Sequence, residues 1–407
     1  MTVYHLENPI INNDWGCPKT MVELYGYQNP DNRPLAELWM GAHPKAVSFV
    51  NLNNKQQMPL SELIANEPVA VLGPKCANKF TNELSFLFKV LSADSPLSIQ
   101  SHPNKAQAIA GWEKENIKKI PLSAPHRNYK DKNHKPELVY AITEFHALNG
   151  FRQYSQIIEL FDLIKGPKLG LLINKLADSL NSDGLKNFYE ALMTHPEPGE
   201  LVYEAIHNIE IRFNKNEDSK EFQRLWQLAI ELNTEYPGDI GVLSPFLINH
   251  IILQPGEAMY LSAGTLHAYL KGTSLEIMAN SDNVLRGGLT HKHIDINELL
   301  HTTVFKPIDH NNLKIACTPL NEYEQCFCTD VEDFQLSIVS LENNYSKLSC
   351  KVHSAEILFV IEGEVAVIAG NNKSLTLKAG QSCFVSAQSK AYHLKGKGQV
   401  ARASTPN

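Results

Sequence analysis

Ser98, Gln100 and His102 fall at alternate positions of the stretch Pro96-Leu97-Ser98-Ile99-Gln100-Ser101-His102-Pro103. In an extended chain this puts a hydroxyl, an amide and an imidazole on one face, with Leu97 and Ile99 on the other. Buried without partners, such groups cost roughly 1–3 kcal/mol each. A metal ion would satisfy Gln100 and His102 together, and a surface strand meeting water would satisfy them too. Two further stretches bring side chains of the same kind. His134-Lys135-Pro136-Glu137 carries a carboxylate into the strand-like run Leu138-Val139-Tyr140-Ala141-Ile142, where Glu137, Val139 and Ala141 share a face. Ser262-Ala263-Gly264 turns and delivers His267 shortly afterwards.

The elements that must position these groups are mostly strands. Phe86-Leu87-Phe88-Lys89-Val90-Leu91 is a buried-strand run leading to the first stretch, and Asn104 stands where a helix N-cap belongs, before Lys105–Trp112. Residues 1–60 read as strands and turns, with His43 before Pro44 stabilising a turn and a helical patch near Ser61–Ile64. From 153 to 235 the apolar residues take helical spacing: Ile157, Leu160, Phe161 and Ile164, later Phe222, Leu225, Trp226 and Leu228. Strand and turn chemistry returns over 236–300, including a strand over Phe246–Leu253. Residues 319–407 read as an all-β unit of short strands, among them Phe334–Val339, Ala355–Ile361, Glu364–Ile368 and Ser382–Val385.

At 407 residues, 43% hydrophobic and 20% charged, the chain has the composition of an ordinary globular protein with two or three domains. A net charge of −7 offers no electrostatic footprint for nucleic acid or an anionic membrane. No apolar run approaches the ~20 residues that span a bilayer, and the first residues lack a signal-peptide pattern. Seven scattered cysteines, closest at Cys326-x-Cys328, suit free thiols in a reducing cytoplasm better than a zinc ribbon.

Pro255–His267 resembles the second cupin motif, with Ser262 in place of its proline. Gln100-x-His102 resembles the His-x-His pair of the first cupin motif with the first histidine replaced, and Glu137 is the candidate for its acid. The stretch Gly272–Lys292, with Glu37–Pro44, Ser98–Lys105, His134–Glu137 and Tyr236–Phe246, is similar to the type I mannose-6-phosphate isomerases over roughly residues 1–300, and more loosely beyond. The resemblance implies one zinc ion per chain held by Gln100, His102, Glu137 and His267. It implies Arg286 as the active-site arginine, with Ser98, His134, Lys135, Glu276 and Asp282 lining the same pocket. Asp282, Lys135, Glu276 and His134 are all chemically suited to be the proton-moving base, with Lys135 and Asp282 assigned catalytic roles and Ser98, His134 and Glu276 substrate contacts.

The fold expected is mainly β: cupin or jelly-roll β-sandwich domains with an inserted helical domain. Residues 1–152 and 236–318 would form a discontinuous catalytic domain, 153–235 the helical domain and 319–407 a metal-free jelly roll, since the C-terminal ligand position falls on Ala391 with His393 two places away. The function expected is interconversion of mannose 6-phosphate and fructose 6-phosphate through an enediol(ate), in a monomeric or weakly dimeric cytoplasmic enzyme whose partner is a sugar phosphate. A non-haem iron cupin oxygenase and a non-catalytic sugar-binding cupin are the competing readings.

Overall fold

The computed structural model describes residues 2–52, 56–343, 346–370 and 373–407. Two large antiparallel sheets dominate. The first runs Ile248–Leu253, Phe145–Phe151, His267–Ala279, Phe86–Ala93, Glu37–Met40, Ile10–Ile11, and Glu137–Ala141 pairs with both Ala258–Leu261 and His267–Ala279. The strand Phe86–Ala93 is buried on both faces, so its sequence does not alternate between apolar and polar. Phe86, Phe88 and Val90 enter a core shared with the C-terminal sheet, while Leu91 and Ala93 face the interior of the first unit. Lys89 stands on that inner face, in register with Glu276.

The second sheet contains Glu324–Phe327, Gln335–Leu341, Ala391–Ser404, Glu356–Ala369 and Ser382–Val385, and then continues into the N-terminus. Val3–Glu7 pairs with Ser382–Val385 on one side and Phe49–Asn51 on the other. These N-terminal strands, expected with the first β unit, therefore belong by hydrogen bonding to the C-terminal sheet. The reason is burial: Tyr4 and Leu6 share the core that joins the two sheets with Phe359 and Phe384. Ala355–Ile361 and Glu364–Ile368, read as two strands, form one strand over Glu356–Ala369, with a register shift between Val360 and Glu362.

Five helices occupy residues 154–235: Tyr154–Ile164, Pro167–Ala177, Ser182–Met193, Pro198–Lys215 and Lys220–Glu235. Their inward stripes, including Leu160, Phe161, Phe188 and Trp226, form one core with Ile99, Leu266 and Leu285. Phe246 and Leu247, expected in a strand, lie in the short helix Ser244–Leu247, which Pro245 initiates at its first turn. Thr20–Tyr25 is likewise helical within a region expected to hold strands and turns. Among the described residues, no helix is long and apolar enough to cross a membrane.

Leu6→Ala is expected to cost about 2–5 kcal/mol and to lower the midpoint of thermal unfolding. Phe49→Ala in the adjacent strand, where the side chain is 39% exposed, should shift it little.

Candidate metal centre

His102, Glu137 and His267 arrive from three different elements, and their ligand atoms all lie within 4.8 Å of one another. Each is almost fully buried. The Nδ1 atoms of the two imidazoles are 2.7 Å from the carbonyl of Asn283 and 2.8 Å from that of Thr265. A carbonyl accepts only from N–H, so both rings carry their proton on Nδ1 and turn an Nε2 lone pair inward. The two Nε2 atoms stand 3.3 Å from Oε1 and Oε2 of Glu137, and that of His102 has no hydrogen-bond partner among the described residues. Burial, aided by the nearby Lys135 ammonium and opposed by Glu137, pushes His102 down to about 4. Burial would raise the Glu137 carboxyl, but Lys135 at 2.8 Å and the two imidazoles more than reverse this and hold it well below the usual range. Two neutral imidazoles and a carboxylate converging in a buried position are a donor set suited to a divalent transition metal.

Gln100 occupies the strand Gln100–Ser101, with His267 opposite it on one side and Arg286 on the other. Directly opposed residues share a face, so its side chain stands between the imidazole and the guanidinium. The amide nitrogen lies 3.4 Å from Ser98 Oγ, which leaves the amide oxygen available. The stretch 96–103 departs from a regular strand. The Leu97 N–H donates to the Tyr269 carbonyl and the Ile99 N–H to that of Gly288, on opposite flanks, so the chain twists between them. Leu97 and Ile99 consequently pack into different clusters, rather than sharing one face.

Behind the three donors lies a buried charge chain. The Tyr269 hydroxyl sits 2.9 Å from Glu137 Oε2 and 2.8 Å from Glu276 Oε1, and can give its one proton to either. Glu276 continues to Lys89 at 3.0 Å, and Lys89 to Glu37 at 3.1 Å. Burial would lower the Lys89 ammonium, but Glu276, Glu37 and Glu137 outweigh it and raise it. Glu276, expected to contact substrate, is instead 2% exposed with its carboxylate committed to Tyr269 and Lys89. Lys89, Tyr269 and Glu37 were not singled out from sequence. A lone lysine in Phe86–Leu91 was the available signal, as was a tyrosine two positions beyond His267 on the same strand face.

The rim is cationic. Arg286 is half-buried, which lowers its guanidinium, and among the described residues no hydrogen bond or ion pair engages it. Lys292 lies near enough to Arg286 and Lys45 that burial and both charges lower it. Burial would raise Asp282, while His43 at 3.4 Å and Lys45 at 2.8 Å reverse this and hold it low. The Lys135 charge acts on the same carboxylate in the same direction. Lys292, Lys45 and a partner role for His43 escaped sequence reasoning, because only the fold brings residues 43–45 against 282–292. Gly288, at φ +128°, lets its segment pass Gly241, whose Cα would lie 2.8 Å from an added Cβ. Gly264, at φ +81°, makes the turn before His267 and donates to the His102 carbonyl.

His134 is not brought to this centre. Its Nε2 is 2.9 Å from Asp333 Oδ2 in the C-terminal unit. Within the C-terminal sandwich the polar interior holds Arg402, bonded to Glu356 and, at 3.0 Å, to Glu324.

A buried histidine–carboxylate cluster on antiparallel β-sheets of this arrangement defines a metal-binding protein of the cupin type. Residues 3–154 match the catalytic domain of phosphomannose isomerase type I, and residues 323–405 the mannose-6-phosphate isomerase cupin domain. The chain is 42% identical to mannose-6-phosphate isomerase of Salmonella typhimurium, covering 98% of each. It is 33% identical to that of Homo sapiens, over 88% of this chain and 86% of the human one. A crystal structure of zinc-bound mannose 6-phosphate isomerase superposes with a TM-score of 0.92 at 40% identity, covering 100% of both chains. The protein belongs to the type I mannose-6-phosphate isomerase family.

Tyr269→Phe removes the hydroxyl between two buried carboxylates. It should weaken divalent-metal affinity by about 10–100-fold, measured by competition with a chromogenic chelator.

Proposed function

We propose that the protein is a zinc-dependent aldose–ketose isomerase interconverting mannose 6-phosphate and fructose 6-phosphate. The observation that carries this reading is the buried His102–Glu137–His267 donor set in a chain similar along its whole length to isomerases of that name. Gln100, His102, Glu137 and His267 would hold the ion, which when bound supplies Lewis-acid polarisation of substrate oxygens.

The isomerisation moves one proton between C2 and C1 while the oxygens exchange theirs. Asp282, a rim carboxylate kept ionised by His43 and Lys45, takes and returns the carbon-bound proton. Lys135, next to Glu137, gives and recovers a proton at the substrate oxygen. Arg286, which cannot realistically deprotonate, stabilises the negative charge that develops in the enediolate. Ser98 and Lys292 receive the phosphate. A lysine beside Arg286 relieves the guanidinium of binding phosphate and stabilising the reacting centre at once. The full-length relatives are isomerases, which favours this reading over an oxygenase or a sugar-binding module.

In a coupled assay, chelation should abolish turnover and added zinc restore it; full activity of chelated protein would refute the metal assignment. Arg286→Ala is expected to lower kcat by about 10²–10³-fold. Lys292→Ala should chiefly raise KM for the phosphorylated sugar, and an unchanged KM would remove Lys292 from the phosphate site.

A further inference from the structure

Cys326 and Cys328 lie far along the chain from the metal ligands, in the C-terminal sheet. Cys326 is in the strand Glu324–Phe327 and is fully buried, facing the interior beside Glu324 and Arg402. Cys328 is the first residue beyond that strand and is exposed. Residues two apart in an extended chain share a face, and here the two sulfurs are 2.7 Å apart. A disulfide bond is about 2.05 Å long, so closure requires a further approach of about 0.7 Å. The ladder to Gln335–Leu341 holds Cys326 and Phe327 but ends there, which frees the Cys328 backbone to make that movement.

We infer that Cys326 and Cys328 form a reversible dithiol–disulfide site that reacts with small-molecule disulfides of the glutathione type. Accessibility sets the order of events. Burial and the neighbouring Cys328 thiol push the Cys326 thiol up, so it stays protonated, and only Cys328 meets solvent. The Cys328 thiolate attacks one sulfur of the small disulfide, whose S–S bond breaks and releases one thiolate. Cys326 then loses its proton to that thiolate or to water and attacks the Cys328 sulfur, expelling the second small thiol. Two protein thiols are oxidised to one disulfide, and one small disulfide is reduced to two thiols. The exposed Cys317, just before the neighbouring strand Thr318–Pro319, is the competing thiol, but it contacts Gln325 Oε1 at 3.3 Å, on the face opposite Cys326.

The test is treatment of the full-length protein with excess oxidised glutathione, followed by alkylation and peptide mass analysis. The expected product is a peptide containing Cys326 and Cys328 lighter by two hydrogens and blocked to alkylation, restored by dithiothreitol. Cys328→Ser, at an exposed position, should eliminate it, while Cys317→Ser should leave it unchanged. Two alkylatable thiols after treatment would overturn the inference. So would a glutathione adduct on Cys328 that never closes, or a link from Cys328 to Cys317.

Discussion

The structure depends on one electrostatic constraint: a carboxylate, Glu137, is held ionised at 2% exposure inside a β-sandwich. An uncompensated charge there would cost several kcal/mol. Its surroundings answer that cost twice. Toward the cavity, the Lys135 ammonium meets its Oε1. On the inner side, Tyr269 links it to Glu276, Lys89 and Glu37. The second chain fixes the carboxylate's orientation before any ion arrives, and such preorganisation is what a metal site requires of its outer partners. Because Lys89 is clamped between Glu276 and Glu37 with the Trp39 ring 5.0 Å beneath its ammonium, the chain ends in a fixed charge instead of an open polar group.

That arrangement explains why strands buried on both faces build the centre. Phe86–Ala93 and Glu137–Ala141 each give one face to the core shared with the C-terminal sheet and the other to the metal side. A shift of one residue would exchange Lys89 with Phe88 or Glu137 with Leu138, burying a charge in an apolar core. The C-terminal sheet thus supports the catalytic one by supplying the far wall of that core, and the N-terminal strand Val3–Glu7 extends the wall. In the second sandwich, whose core is otherwise apolar, Arg402 pairs with Glu356 and Glu324, a side-chain cation against two carboxylates.

Much of the candidate site was legible in the chain because groups able to bind a metal declare themselves by type and local spacing. Gln100 and His102 two apart, Glu137 at the polar end of an apolar strand, and His267 after a glycine turn each carry a local signature. So did the Asn104 cap, which closes as a capping box with Gln107. What could not be read locally were partners distant in sequence. His134 neighbours Lys135 in the chain, yet its imidazole meets Asp333, 199 residues away. Glu276 is of a suitable type to touch substrate, but Lys89 and Tyr269 take its carboxylate.

The sequence by itself determined which residues could bind a metal and that strands would present them, since both follow from residue chemistry and periodicity of two or 3.6. It also determined the helical character of 153–235, whose apolar stripes repeat within single helices. Only tertiary structure decided which polar groups share a space. The pairing of Lys45 and His43 with Asp282, the Tyr269–Glu276–Lys89–Glu37 chain, and the entry of Val3–Glu7 into the C-terminal sheet all join segments with no local pattern in common. Buried charges take whatever partner the fold brings within about 3–4 Å, and register and packing set that distance.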